Sequence, residues 1–255
     1  MHTNWIGLYT MLRREVKRTL RVVVQTLVAP TVSAALYIFI FGTVIGSRIS
    51  DFAGVPYIRF VFPGVLMLSI INASFASASS ALYFMRFTRG IEEILITPFS
   101  YLEMLIGFVG SAVVRALMVA FLILFVGLGF GAVSLVHPLG FVFYVSAISA
   151  IFAMLGIVVA LWAESFEQLQ VLNTFFITPM TYLGGIFYSI TMLPPLAASI
   201  TRFNPFFYFA NGIRSSMIGY TEADPTLGIV IISTLVIGLG ILVTQLFKRG
   251  WKIRS

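Results

Sequence analysis

Long apolar runs separated by short clusters of charge dominate this chain. Six of them approach or exceed the roughly 20 residues that a helix needs to cross a hydrocarbon core. They are Leu27 to Ile45, Phe60 to Phe84, Leu105 to Phe130, Leu139 to Trp162, Val171 to Tyr188 and Leu227 to Phe247. The pattern predicts an all-α integral membrane protein with six transmembrane helices in a single domain over residues 1–255. An even number of crossings places both termini on one side. About two dozen residues precede the first run, unlike the short basic region and small-residue cleavage site of a signal peptide.

Those leading residues have their own periodicity. Over 3–24, Trp5, Leu8, Tyr9, Leu12, Val16, Leu20 and Val23 recur at helical spacing, while Arg13, Arg14, Lys17, Arg18 and Arg21 fill the opposite side. This predicts an amphipathic helix lying in the membrane plane, apolar face in the acyl boundary and cations among anionic head groups. It serves as a plain anchor or as a lever touching another protein.

Two connectors carry mixed patterns. Residues 85–98 place Ile91, Ile94 and Leu95 on one side and Arg89, Glu92 and Glu93 on another, with Pro98 as a stop. Ser100 and Glu103 then form the Ser-x-x-Glu capping box that opens the third span. The predicted short helix suits a groove on another protein, or is simply a solvated connector. A smaller turn, AESFEQLQ, joins the fourth and fifth runs and offers a second contact.

From Pro179 to Tyr220 the chain is too apolar for an aqueous loop and too broken for one helix. Gly184-Gly185, Pro194-Pro195 and Asn204-Pro205 interrupt it, and each proline removes a backbone donor and crowds the turn before it. The expectation is a span followed by short re-entrant helices over 189–220. Irregular backbone at membrane depth survives where protein or a water-lined cavity covers it.

Composition narrows the class. Of 255 residues, 59% are hydrophobic and 10% charged, against about 25% charged in soluble domains. The net charge of +7 needs no nucleic-acid partner, because Lys and Arg concentrate on the cytoplasmic face of membrane proteins. Arg13, Arg14, Lys17, Arg18, Arg21, Arg86, Arg89, Lys248, Arg249, Lys252 and Arg254 fall at one face; Arg48, Arg59, Arg202 and Arg214 fall at the other. This bias predicts cytoplasmic termini and an outer position for 189–220. There is no cysteine, hence no disulfide or thiolate metal site.

Arg115 remains, inside the third run. Twelve residues past Glu103, at about 1.5 Å per residue, it sits roughly 18 Å deep. A charge at that depth faces protein or water and is a functional candidate. Asn72 is at matching depth in the second run, on a stripe with Ser69, Ala73, Ala76, Ser77 and Ser80. Such stripes also serve close helix packing, and Arg115 fits a structural anchor as well as a substrate path. Catalytic patterns are missing: His2 and His137 are the only histidines, and no Gly-x-Ser-x-Gly elbow or phosphate-binding Gly-x4-Gly-Lys-Ser/Thr loop occurs. All nine acids lie at or near the predicted faces, which favours a partner ATPase over ion coupling.

The basic start, the Arg-Gly-Ile-Glu-Glu-Ile-Leu connector, the run Thr-Pro-Met-Thr-Tyr-Leu-Gly-Gly-Ile-Phe-Tyr-Ser, then Leu-Pro-Pro and Asn-Pro, resemble the membrane subunit of ABC-2 type ABC transporters, and within them the bacterial YadH-like inner-membrane permeases. The resemblance implies a non-catalytic permease that pairs with a second copy of itself and two copies of a separate ATP-binding subunit. That subunit would hold ATP and Mg2+, and this chain no cofactor. The cargo implied is lipid-linked, glycoconjugate or hydrophobic, moved outward. Residues 85–98 correspond to the coupling helix, with Arg86, Arg89, Glu92 and Glu93 as ATPase contacts, and Glu164 and Glu167 belong to the second contact. Asn72, Arg115, Pro179, Tyr182, Pro194, Pro195, Asn204 and Pro205 are the candidates for substrate path or gate. An autonomous channel, an ion-coupled carrier and an intramembrane lipid-modifying enzyme are the alternatives.

Overall fold

A computed structural model describes residues 4–46, 54–97 and 99–253. His2, Thr3, Arg48, Asp51, Pro98 and Arg254, used above, lie outside the described residues. The described residues are helical, with no β-strand among them.

Helix α1, Trp5–Arg21, begins at Asn4, whose side chain accepts from the Gly7 N–H at 2.9 Å. It buries Leu8, Met11, Glu15 and Thr19, one stripe at three- and four-residue spacing, against α5. Trp5, Ile6, Tyr9 and Leu20 stay exposed beside its cations. The first span follows as α2, Ala29–Tyr37, between π-helical stretches Val24–Val28 and Ile38–Ile45. Pro30 lies two residues past the first stretch. Its missing donor and bulky ring favour a wide turn there.

Helix α3, Tyr57–Phe87, is the buried axis of the molecule. It is followed by α4, Gly90–Leu95, then α5, Tyr101–Gly129, and α6, Pro138–Trp162. The predicted capping box at the start of α5 is present, with both Ser100 and Glu103 hydrogen bonds made. The other Glu103 oxygen accepts the Asn4 N–H at 2.6 Å, so one carboxylate fastens the start of α1 to the start of α5. Small residues let α3 and α6 approach closely: a Cβ on Gly156 would stand 2.7 Å from the Phe75 carbonyl oxygen.

Among the described residues, five helices are long and apolar enough to cross a membrane: Val24–Gly42, Tyr57–Phe87, Tyr101–Gly129, Pro138–Trp162 and Pro225–Arg249. The fifth expected run, Val171 to Tyr188, does not form one such helix. It divides into α7, Gln168–Leu172, a π-helical Asn173–Ile177 and α8, Thr178–Tyr182. Tyr182 is followed by turns through Gly184 and Gly185, and Gly185 has φ +78°, a backbone that side chains resist. Once again a proline, Pro179, lies two residues past the π stretch.

After a 3-10 turn at Ile190–Met192 come two short helices, α9, Pro195–Phe203, and α10, Pro205–Ile218. Pro195 and Pro205 open them, where a missing donor does no harm. Helix α9 exposes Leu196, Ile200 and Phe203, whereas α10 is buried among α3, α6 and α11, Pro225–Arg249. Helix α11 presents Val230, Ile237, Ile241 and Leu242 outward, and α5 presents Phe121 and Phe125.

The two ends differ in their fastenings. At the end where α1 begins and α11 finishes, the Tyr83 hydroxyl donates to the Glu164 carbonyl and Lys252 reaches Trp162 and Glu164. At the far end, the Tyr57 hydroxyl donates to the Phe187 carbonyl at 3.0 Å and the His137 N–H to the Ser216 carbonyl at 2.9 Å.

Candidate functional site

Two helices with π turns, the polar stripe of α3 and Arg115 of α5 border a half-open cavity of about 410 Å³. Gln25, Pro30, Ser33 and Tyr37 line it from the first span, Ser69, Asn72 and Ala76 from α3, Arg115 from α5, and Thr178 and Tyr182 from α8. Sequence candidates from three separate runs, Asn72, Arg115 and Tyr182, therefore share one cavity. Pro179 is adjacent to it through Thr178.

Polar groups in the wall differ in how well they are satisfied. Ser69 and Asn72 turn their donors back to the α3 carbonyls of Val65 and Leu68, both at 3.0 Å. The buried Arg115 Nε has no hydrogen-bond partner among the described residues. The lining residues include no carboxylate. A cation beside amide, hydroxyl and aromatic surface can hold an anionic or strongly polar group with apolar surface attached.

An aromatic cluster adjoins the cavity through Tyr37 and Tyr182. Phe187 is its hub, its ring centroid 4.3 Å from Phe41, 6.0 Å from Tyr182 and 6.2 Å from Tyr37. Gly185 allows the turn that brings Phe187 back over these helices. Sequence reading found Tyr182 but missed Tyr37, Phe41 and Phe187, because ring contacts across two segments leave no local periodicity.

Beyond the cluster lies a locked charge. Arg214, grouped by its position with Arg48, Arg59 and Arg202 at the face opposite the basic cluster, is fully buried on α10. Its guanidinium stands 3.9 Å from the Phe60 ring centre, donates to the Gly185 carbonyl at 2.7 Å and pairs with Glu222 at 3.4 Å. Glu222 also accepts from Ser189 and Tyr220, and its backbone N–H donates to Asn211 at 2.7 Å. An ionisable residue inside FFYFANGIRSSMIGY was itself a signal, of the kind that singled out Arg115. Asn204 adds a further tie: its Oδ1 caps α10 through the Phe206 N–H and its Nδ2 donates to the Met180 carbonyl at 2.7 Å. Pro194 and Pro195 sit exposed at the start of α9, and Pro205 is half-buried at the start of α10.

At the opposite end the two expected contacts come together. Arg86, Arg89 and Glu164 line one cleft of about 420 Å³ with Tyr83, Phe87 and Ala163. Phe166 packs edge-on to Tyr83 at 4.6 Å and to Phe87 at 5.6 Å, which joins the α6–α7 turn to the end of α3. Arg86 donates to the carbonyls of Ala160 and Ala163, a cation on the otherwise unpaired C-terminus of α6. Arg89 is exposed in a left-handed conformation, φ 57°, and Glu92, Glu93 and Glu167 are exposed as well. Glu92 and Glu93 lie in the first turn of α4, where their charge suits the helix.

The ABC-2 type transporter family matches this chain over residues 7–218. The chain is 34% identical to the inner membrane transport permease YadH of Escherichia coli K12, over the whole of both chains. It is 27% identical to nodulation protein J of Rhizobium meliloti strain 1021, over 85% of this chain and 82% of that one. Against nodulation protein J of Neorhizobium galegae the identity is 28%, over 88% and 85%. With its long apolar helices and full-length similarity, the chain belongs to the ABC-2 type transporter family and is a multi-pass inner-membrane transport permease.

Proposed function

We propose that the chain is the membrane subunit of an ABC exporter, paired with a second copy of itself and driven by two copies of a separate ATP-binding subunit. ATP and Mg2+ belong to that subunit. The end carrying both termini faces the cytoplasm. The helix from Gln168 to Tyr182 makes the sixth crossing together with the Gly185 turn, since Phe187 is tied to Tyr57 at the far end. The cleft of Arg86, Arg89 and Glu164 and the exposed Glu92, Glu93 and Glu167 meet the ATPase. The aromatic cluster and the α9–α10 pair form the outer gate.

The observation that carries this reading is Arg115, with its unpartnered Nε, in a cavity of mixed polar and aromatic wall. That wall suits cargo with an anionic or sugar-like head and an apolar body, such as a lipid-linked glycan or lipo-oligosaccharide. The absence of a carboxylate from its lining supports ATP coupling over ion coupling.

The test is reconstitution of the permease with its ATPase in proteoliposomes. Arg115→Ala should abolish export, while Arg115→Lys, which keeps the charge, should retain part of it. Normal export by the alanine variant would overturn the assignment. Reversing the charges of Arg89, Glu92 and Glu93 should separate hydrolysis from transport or break ATPase assembly without affecting insertion. A reversed-charge complex that assembles and transports normally would remove α4 from the coupling path.

A further inference from the structure

A second cleft, of about 320 Å³, opens between the cationic side of α1 and the α3–α4 junction. Arg14, Lys17, Arg18 and Arg21 line it, against only two acids, Glu15 and Glu93. Two of the cations are held in place by the protein. Buried Glu15 pairs with Arg18 at 2.8 Å and with Arg14 at 3.5 Å. The Arg18 guanidinium also donates to the Ser77 carbonyl of α3 at 3.4 Å. The other two, Lys17 and Arg21, stand one helical turn apart and pair with no acid among the described residues.

Exposed apolar surface continues from this cationic wall. Phe84, also lining the cleft, is 53% exposed. Leu20, Val24 and Val28 are exposed where α1 passes into the first span. Concentrated positive charge continuous with apolar surface matches one ligand chemistry, a phosphate diester carrying acyl chains.

We propose that this cleft is a defined binding site for a resident anionic phospholipid. Its phosphate lies among Arg14, Lys17, Arg18 and Arg21, and an acyl chain runs over Phe84. The site differs from the diffuse attraction of any basic interfacial helix because it draws on α1, α3 and α4 together. Gly90 and Glu93 of α4 form part of its wall, so the bound lipid braces α1 against α4.

The full-length chain in phosphatidylcholine nanodiscs, with phosphatidylglycerol titrated in and retained lipid counted by native mass spectrometry, tests this. Lys17→Gln with Arg21→Gln removes two cleft cations. Arg13→Gln with Lys248→Gln removes two exposed cations that do not line it. The cleft pair should weaken phosphatidylglycerol retention on the order of twenty-fold, and the matched control should leave it unchanged. Equal losses in both, or none in the cleft pair, would overturn the site. Displacement of the lipid by inorganic phosphate would also overturn it, since the cleft would then take free phosphate. A photoactivatable head-group phosphatidylglycerol gives a check on the unaltered chain. Its label should map within residues 14–21 or 84–93, and labelling spread over all basic ends would sink the proposal.

Discussion

Arg115 and Arg214 are both arginines inside apolar sequence, and the structure treats them in opposite ways. Arg214 has an acid, two backbone carbonyls and an aromatic face around it. Arg115 lines a cavity, and its buried Nε is left without a partner among the described residues. A buried charge is costly unless it is paired and hydrogen-bonded. Full satisfaction identifies Arg214 as scaffold, tying α3, the Gly185 turn and α10 together. Arg115 Nε lacks such partners among the described residues, which supports the role in the cavity proposed for it.

Removing one half of the locked pair should have the largest effect. Glu222→Leu leaves Arg214 buried and uncompensated, a change that costs about 3–5 kcal/mol where it has been measured. The thermal midpoint in detergent should fall sharply, and a combined Arg214→Met, Glu222→Leu variant should recover much of the loss. Arg115→Ala should leave that midpoint nearly unchanged while export disappears. If both arginines prove equally important for stability, the distinction between scaffold and site fails.

The aromatic cluster lies between the two arginines and should give an intermediate effect. Phe187→Ala removes three ring contacts, each worth about 0.5–1.5 kcal/mol, from a half-buried position. A loss of about 2 kcal/mol is expected, together with flux that no longer depends on ATP hydrolysis. A destabilised variant with tightly coupled transport would keep Phe187 in the scaffold and remove it from the gate.

The sequence showed whatever follows from local pattern. The second and fourth spans were expected at Phe60–Phe84 and Leu139–Trp162 and occur as Tyr57–Phe87 and Pro138–Trp162. Their starts lie a little earlier because Pro56 and His137 serve as caps. The Ser100–Glu103 box was legible for the same reason: its bonds span three residues. Arg115 and Asn72 were legible as misplaced polarity. The cavity that unites them with Tyr182 was not, because it depends on four helices meeting. Nor was the early end of the fifth run, where apolar content continues through Phe187 but Gly185 turns the backbone. The burial of Arg214 was not legible either, because its partner Glu222 lies across a turn and only the fold makes them neighbours.

The smallest effect belongs to a second charged pair, exposed at the other end. Lys252 donates to Glu164 at 2.9 Å and strengthens the joint between the end of α11 and the α6–α7 turn. The Lys252 hydrogen bond, then its charge, holds the Glu164 carboxyl below its ordinary range. A depressed carboxylate contributes fully above the ordinary Glu value of about 4.3, and its contribution fades as pH falls through the folded-state value. Acid should therefore loosen this joint, and only slightly, since both side chains reach solvent. Lys252 has φ 50°, so Lys252→Gly relieves the backbone while removing the bond, and its midpoint at neutral pH should hardly move. What should vanish is the additional loss on acidification, followed as the midpoint from pH 6 to pH 3. Unchanged acid sensitivity in Lys252→Gly would assign that loss to other carboxylates. Disappearance of the loss would complete the ordering, from a buried pair that holds the fold, through a cation in the cavity wall, to an exposed pair that trims one joint.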